Sequence, residues 1–469
     1  MKKIFPFLII YLVVTVLYYP VFTTYFSQDD FFHFKVSQTD GTLTGFLNLF
    51  GFHPFEERGI AFYRPIFREV LFNTFYNTFG LNHIPFRILS FLIHFINIYL
   101  VYILMQKLFQ KNTLSFFAAF FYGISSAHIA SLYYLSGGIQ ALGATMFILL
   151  TLLLVNKFPI LSFLTFLLAL SSHELAIITP VILFILRPNI FRLLPFFLLS
   201  IIYLYLEITV IGFSSKELQY TPVFNLKTIL NSLAWYAGWA LGLPEMLVDF
   251  VLPGLRLNPT LMRYWGTYYI LIFASFVVAV AILGFTAIYS KQKILLDRKF
   301  LVLLVWFPAG LVPVLLLPLH KSAYYLAPVL PAFWGSIGYI IFKYPRLSLL
   351  IVFISAIFLL NTTSILLGHS TYWAAQRGKV AEKLIHQIKS EYPTLPRGAV
   401  IYVENDPNYP FVAKEWGGSS KQAAFILNGS DALQLLYQDP TLQVFYEDLE
   451  GIPQDLPEDK LYTIVARIN

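Results

Sequence analysis

Continuous apolar runs of about 15 to 25 residues, almost empty of charge, recur along the chain. A helix needs about 20 such residues to cross a hydrocarbon core of roughly 30 Å. Of 469 residues, 58% are hydrophobic and only 12% charged, far from the balance of a soluble domain. These features predict an all-α polytopic transmembrane bundle. No alternating ten-residue pattern of a membrane β-barrel appears. The run after Lys2 and Lys3 reaches about Phe26 without a small-x-small cleavage site, so it reads as an uncleaved first helix rather than a secretory signal. The absence of cysteine excludes disulfides, metal thiolates and a thiol nucleophile, and leaves the compartment open. The net charge of +7 is spread over many loops, which argues against nucleic acid as a partner.

Short loops rich in lysine and arginine stay cytoplasmic. Lys2 and Lys3, Lys107 with Lys111, Lys157, Arg187 with Arg192, the group Lys291, Lys293, Arg298 and Lys299, and Lys343 with Arg346 occur at alternate turns of the apolar path. The expected spans are roughly 4–26, 85–106, 113–132, 137–155, 158–172, 174–187, 193–211, 264–290, 300–318, 322–342 and 347–367. Residues 226–256 carry Pro244, Glu245, Asp249, Pro253 and Arg256 within aromatic sequence and read as a re-entrant or interfacial hairpin. The total is about 11 to 13 crossings in a plasma-membrane protein, with the N-terminus inside.

Two regions stand apart from the spans. Residues 27–84 form a long first outer loop in which Arg64-Pro65 opens a helical pattern of Phe67, Leu71, Phe75 and Phe79, closed by Gly80. That pattern suggests an interfacial helix. Residues 370–469 are polar, with a helix over 376–391 and β-rich runs at Ala399–Val403, Gln443–Tyr446 and Leu461–Ile468. The expected organisation is a transmembrane domain over 1–369 and a small extracytoplasmic α/β domain over 370–469. Asn361 and Asn428 head glycosylation sequons.

Three clusters are candidates for chemistry. Asp29 and Asp30 close the first helix among Phe26, Phe31, Phe32 and Phe34, with His33 beside them. Apolar neighbours raise a carboxylate's pKa toward a useful general base, and a second carboxylate drives the two values apart. The bland reading is a pair of solvated acids. His173 and Glu174 sit between two helices too short to complete a double crossing, so they read as lining a cavity below the surface. Against this stands a helix-capping Glu paired with His173. Lys321 and Tyr324 belong to the outward turn His320–Tyr325, which with Arg64 and Arg68, and more weakly Arg87, supplies fixed positive charge suited to phosphate. Attraction to anionic headgroups is the simpler account of these cations. His83, His94 with Asn97, and His128 read as packing residues. A P-loop, a dinucleotide glycine pattern, His-Glu-x-x-His and a nucleophile elbow are missing.

The order of features is similar to a known family. A first helix ending in Asp29-Asp30, the Arg64-Pro65 helix, the run FGLNHIPFRILSFLIH, then AAFFYGISSAHIASLYYLSGG and SSHELAIITPVILFIL, and more loosely HKSAYYLAPVLPAFWG, together resemble the polytopic GT-C glycosyltransferases. They are similar to bacterial relatives of the protein O-mannosyltransferases and other family 39 membrane enzymes. The resemblance covers about residues 1–210 and 300–367. It implies transfer of a sugar from a polyprenyl-phosphate donor to a protein or glycan acceptor at the outer face. It assigns Asp29 and Asp30 to acceptor activation or metal binding, with Asp29 the base, and Arg64, Arg68 and Lys321 to the donor phosphate. His33, His173, Glu174 and Tyr324 would line the cavity. The family includes metal-free and metal-dependent members, so a divalent ion, Mg or Mn, on Asp30, His33 and Glu174 is left open. Relatives often carry Lys-Glu where this chain has His173-Glu174, and Arg-Tyr where it has Ala323-Tyr324. The readings set against transfer are a transporter or flippase of lipid-linked glycans, which predicts internal repeats that the sequence does not display, and a non-catalytic assembly protein.

Overall fold

The structure is a computed structural model that describes residues 5–186, 188–212, 218–252, 254, 256–289, 297–343, 346–410, 417–452 and 460–468. The expected charges Lys2, Lys3, Arg187, Lys291 and Lys293 lie outside the described residues. Seven described helices are long and apolar enough to cross a membrane: Phe5–Thr23, Ile84–Phe109, Leu135–Leu154, Ile190–Ile211, Pro259–Tyr289, Arg298–Leu315 and Leu347–Glu391. Pro159–Leu170 and Glu174–Leu186 are shorter apolar helices.

The chain divides into two compact units. The first takes residues 1–19, 51–67 and 89–371, and the second takes 20–50, 68–88 and 372–469.

In the first unit the helices follow the expected spans, with three informative departures. The span expected over 113–132 is a helix Asn112–Gly123 and a separate turn of helix His128–Tyr133. The break between them is held by distant partners: Tyr18 donates to the Ser125 carbonyl at 2.6 Å, and the Ser126 amide donates to Asn361 at 2.9 Å. Broken backbone at such depth survives only where side chains satisfy it. Asn361 is therefore a buried brace rather than an acceptor for glycan. The span expected from 322 has a short 3-10 turn Ala323–Leu326, and its helix runs Leu330–Lys343. Pro328 and Pro331 lack the amide hydrogen that an earlier, continuous helix would use. Residues 226–257 form a helix Leu226–Leu241, capped by the Asn225 side chain, then a short helix Leu247–Phe250 and an antiparallel ladder of Val251–Leu252 with Arg256–Leu257.

A single glycine fixes how the Arg64 segment meets the bundle. A Cβ at Gly143 would lie 2.0 Å from the Phe67 ring, so only glycine admits that ring against helix Leu135–Leu154. Small residues serve this close approach between membrane helices. The Ile66 amide donates to the Ser171 carbonyl at 3.2 Å, tying the same segment to the end of helix Pro159–Leu170.

The second unit contains the tail and parts of the first loop. Strands Val400–Asn405, Gln443–Tyr446 and Leu461–Ala466 form a parallel sheet with the first of them in the centre. Parallel neighbours need long crossovers, and helices Ser419–Leu427 and Asp431–Tyr437 lie in the connection between the first two strands. Val400 to Val403 are all buried, as expected of a strand covered on both faces. Helices Asp29–Val36 and Leu71–Phe79 share an aromatic core of Phe26, Phe34, Phe72 and Phe86. The Phe67, Leu71, Phe75, Phe79 stripe is only partly the buried one. Phe72 is fully buried while Phe79 is 44% exposed, because residues 65–70 form a wider π turn that rotates the following side chains away from a 3.6-residue repeat.

Candidate functional site

In the first unit, Arg64, Gln140, His173, Glu174, Tyr324 and Tyr325 come together. Arg64 stands immediately before the π turn, a geometry frequent at functional sites. Its Nε and Nη2 donate to the two Glu174 oxygens at 2.7 and 2.6 Å, and Nη1 donates to Gln140 Oε1 at 2.8 Å. This is the two-pronged fork that a guanidinium makes with a carboxylate. Burial penalises the Arg64 charge, and Glu174 overrides that penalty and holds the group above its ordinary pKa. A guanidinium has five N–H donors. Each of the three nitrogens of Arg64 donates one of these bonds. Phe62 lies under the guanidinium, 4.9 Å away.

The other members surround this fork. His173 Nδ1 is 3.2 Å from Glu174 and accepts the Leu175 amide at 3.3 Å. Its ring faces Tyr325 at 5.8 Å and Tyr324 at 6.5 Å. The expected pairing of His173 with Glu174 is present, yet the dominant partner of Glu174 is Arg64. That pairing bears on the metal reading. Both Glu174 oxygens are engaged by Arg64, which does not fit a ligand sharing an ion with Asp30 and His33.

Several residues of this neighbourhood have no place among the sequence candidates. Gln140 is a polar side chain in an apolar helix, and Glu207 an ionisable one at the end of another; either position is a signal of function in a membrane span. Glu207 accepts the Tyr63 amide at 2.9 Å, next to Arg64 in the chain. Glu245 accepts from the Ser322 side chain and the Ala323 amide, and burial raises its pKa to about 7. Its Oε2 is buried with no hydrogen-bond partner.

Lys321 stands apart from the Arg64 fork. It lines a cavity of about 960 Å³ with Asn231, Trp235, Leu252, Val280 and Phe333, and burial lowers its pKa. His94 and Asn97 are packing residues as expected, bonded to the carbonyls of Gly123 and Leu142 at 3.0 and 2.9 Å.

In the second unit, Asp29 and Asp30 begin a helix and differ sharply. Asp30 is 2% exposed and its Oδ2 accepts the Ser27 amide at 3.1 Å. Asp29 is half-buried, with the Arg377 guanidinium in its field. Gln28 before them has φ 50°, in the left-handed region rare for a residue with a side chain. It is held there by its amide's bond to the Ile426 carbonyl at 2.8 Å and by Arg377 donating to its Oε1. Strain of this kind gathers at functional positions. His33 packs 5.7 Å from the Phe72 ring. His83, lowered in pKa by burial, faces Tyr25 at 5.5 Å.

Arg68 is read from sequence as a phosphate-holding charge beside Arg64. In the structure Nη2 of Arg68 is 2.8 Å from Glu69, and both side chains are about 5% exposed. Its charge is neutralised by its own neighbour. Arg87 is also structural, donating to the carbonyls of Thr24 and Tyr25 at 3.0 and 3.2 Å.

No family model, characterised protein or solved structure matches the chain.

Proposed function

We propose that the protein is a membrane glycosyltransferase that moves a sugar from a polyprenyl-phosphate donor to an acceptor hydroxyl at the outer face. The observation that carries this reading is Arg64: a buried guanidinium held by Glu174 and Gln140, immediately before a π turn. A guanidinium fixed in this way suits the oxygens of a phosphate. The proposed crossing number is 11 to 13, with the N-terminus inside and the tail outside, following the distribution of lysine and arginine.

The reaction is a single displacement. The acceptor oxygen forms a bond to the anomeric carbon, its proton passes to Asp29, and the bond from that carbon to the donor phosphate oxygen breaks. Asp29 is favoured over Asp30 as the base because it keeps contact with solvent, whereas Asp30 is 2% exposed. Arg64 stabilises charge on the departing phosphate, a preorganised electrostatic role. Lys321 is assigned to the same lipid-linked donor through the apolar cavity it lines. Arg68, paired with Glu69, is left out of the phosphate grip.

The test is a transfer assay in liposomes with a polyprenyl-phosphate sugar and a short hydroxyl acceptor. Asp29→Asn is expected to lower transfer by about 10² to 10⁴ with donor binding unchanged. Full activity in that variant removes the base assignment. Movement of the lipid-linked sugar across the bilayer without transfer would instead establish the transporter reading.

A further inference from the structure

A second cavity, independent of the transferase reading, lies within the first unit. It has a volume of about 570 Å³ and is lined by Lys107, Arg192, Arg298 and Lys299, with Asp297 the acid among its lining residues. These residues sit at helix ends: Lys107 in the last turn of Ile84–Phe109, Arg192 in the first turn of Ile190–Leu206, and Arg298 at the start of Arg298–Leu315.

Backbone carbonyls hold the cations in place. Arg192 Nη2 donates to the carbonyls of Val155 and Asn156 at 2.9 and 3.2 Å, Arg298 Nη2 to that of Ile185 at 3.3 Å, and Lys107 Nζ to that of Leu153 at 2.8 Å. The Asp297 carboxylate is committed elsewhere, accepting the Lys299 amide at 2.9 Å and the Tyr339 hydroxyl. The cavity therefore carries a surplus of positive charge. Apart from Asn156 and Asn189, its remaining wall is aliphatic, including Leu104, Leu152 and Leu183. A small soluble anion would use the cations and leave that wall bare.

We propose that this cavity binds the headgroup of an anionic phospholipid, with the phosphodiester on the Arg192 and Arg298 guanidinia and the upper acyl carbons against the leucines. Basic pockets between membrane helices recognise such headgroups, and guanidinium forks suit phosphate oxygens. The site is distinct from the Arg64 fork in every residue.

Native mass spectrometry of the full chain in detergent, titrated with phosphatidylglycerol or phosphatidylcholine, tests the proposal. Phosphatidylglycerol is expected to be retained at roughly fivefold lower concentration for each contributing cation. Arg298→Gln with Lys299→Gln should weaken phosphatidylglycerol retention about 25-fold and narrow its advantage over phosphatidylcholine. Should Arg192 variants fail to fold through loss of the Val155 contact, this pair still decides the matter. Equal retention of both lipids, or no change in the double variant, overturns the proposal. Displacement of the lipid by millimolar inorganic phosphate would also overturn it, identifying a site for free anions.

Discussion

Asp30 and Glu174 are both carboxylates withdrawn from water, yet they are satisfied by opposite means. Asp30 accepts an amide three residues away in its own loop, whereas Glu174 is gripped by a guanidinium 110 residues distant. The first arrangement closes within four residues. The second exists only when the Arg64 segment and the turn after His173 have both been placed. A carboxylate's role thus depends on who brings the hydrogen: a backbone amide caps a helix, while a buried cation defines a charged centre.

The sharpest way to break this contrast is to remove the cation. Arg64→Ala leaves Glu174 buried without its partner, and should cost about 3 to 5 kcal/mol of stability, measured by denaturant unfolding in micelles. Adding Glu174→Gln to Arg64→Ala should recover part of that loss; no recovery would mean that the pair is not the energetic centre. A smaller effect is expected at the other carboxylate. Asp30→Asn keeps an acceptor for the Ser27 amide but loses the charge at the helix start, and should cost about 0.5 to 2 kcal/mol. A loss as large as that of Arg64→Ala would erase the distinction between them. The smallest effect concerns Gln28. Gln28→Gly relieves its positive φ but gives up the contact with Arg377, for an expected net gain of up to about 1 kcal/mol. A drop in the melting midpoint would show that the Arg377 contact outweighs the strain.

Much of the architecture is legible in one dimension because membrane helices and buried strands are written as uninterrupted apolar sequence. Most of the expected span residues are helical, seven of the described helices are long and apolar enough to cross a membrane, and all three tail strands fall within a residue or two of their expected limits. What fails is whatever depends on a remote partner. The break after Gly123 requires Tyr18 and Asn361, which no local pattern announces. The Arg64–Glu174 fork has the same character: each half stands out in sequence as a charge in an apolar setting, but nothing pairs them. Arg68 teaches the reverse lesson. Its partner Glu69 is the very next residue, and counting cations without their neighbours gives the position a net charge that the pair does not carry.

The bonds that hold the corner at Gln28 have a consequence for the order of synthesis. Lys35 reaches Gln434 across 399 positions at 2.6 Å, and Gln28 depends on the Ile426 carbonyl and on Arg377. At roughly 5 to 20 residues per second, the ribosome needs about 20 to 80 s to span that interval. For that time Asp29 and Asp30 stand beside a backbone that lacks the contacts fixing its unusual conformation. The acidic corner is among the first pieces of the protein to be made and among the last to be finished.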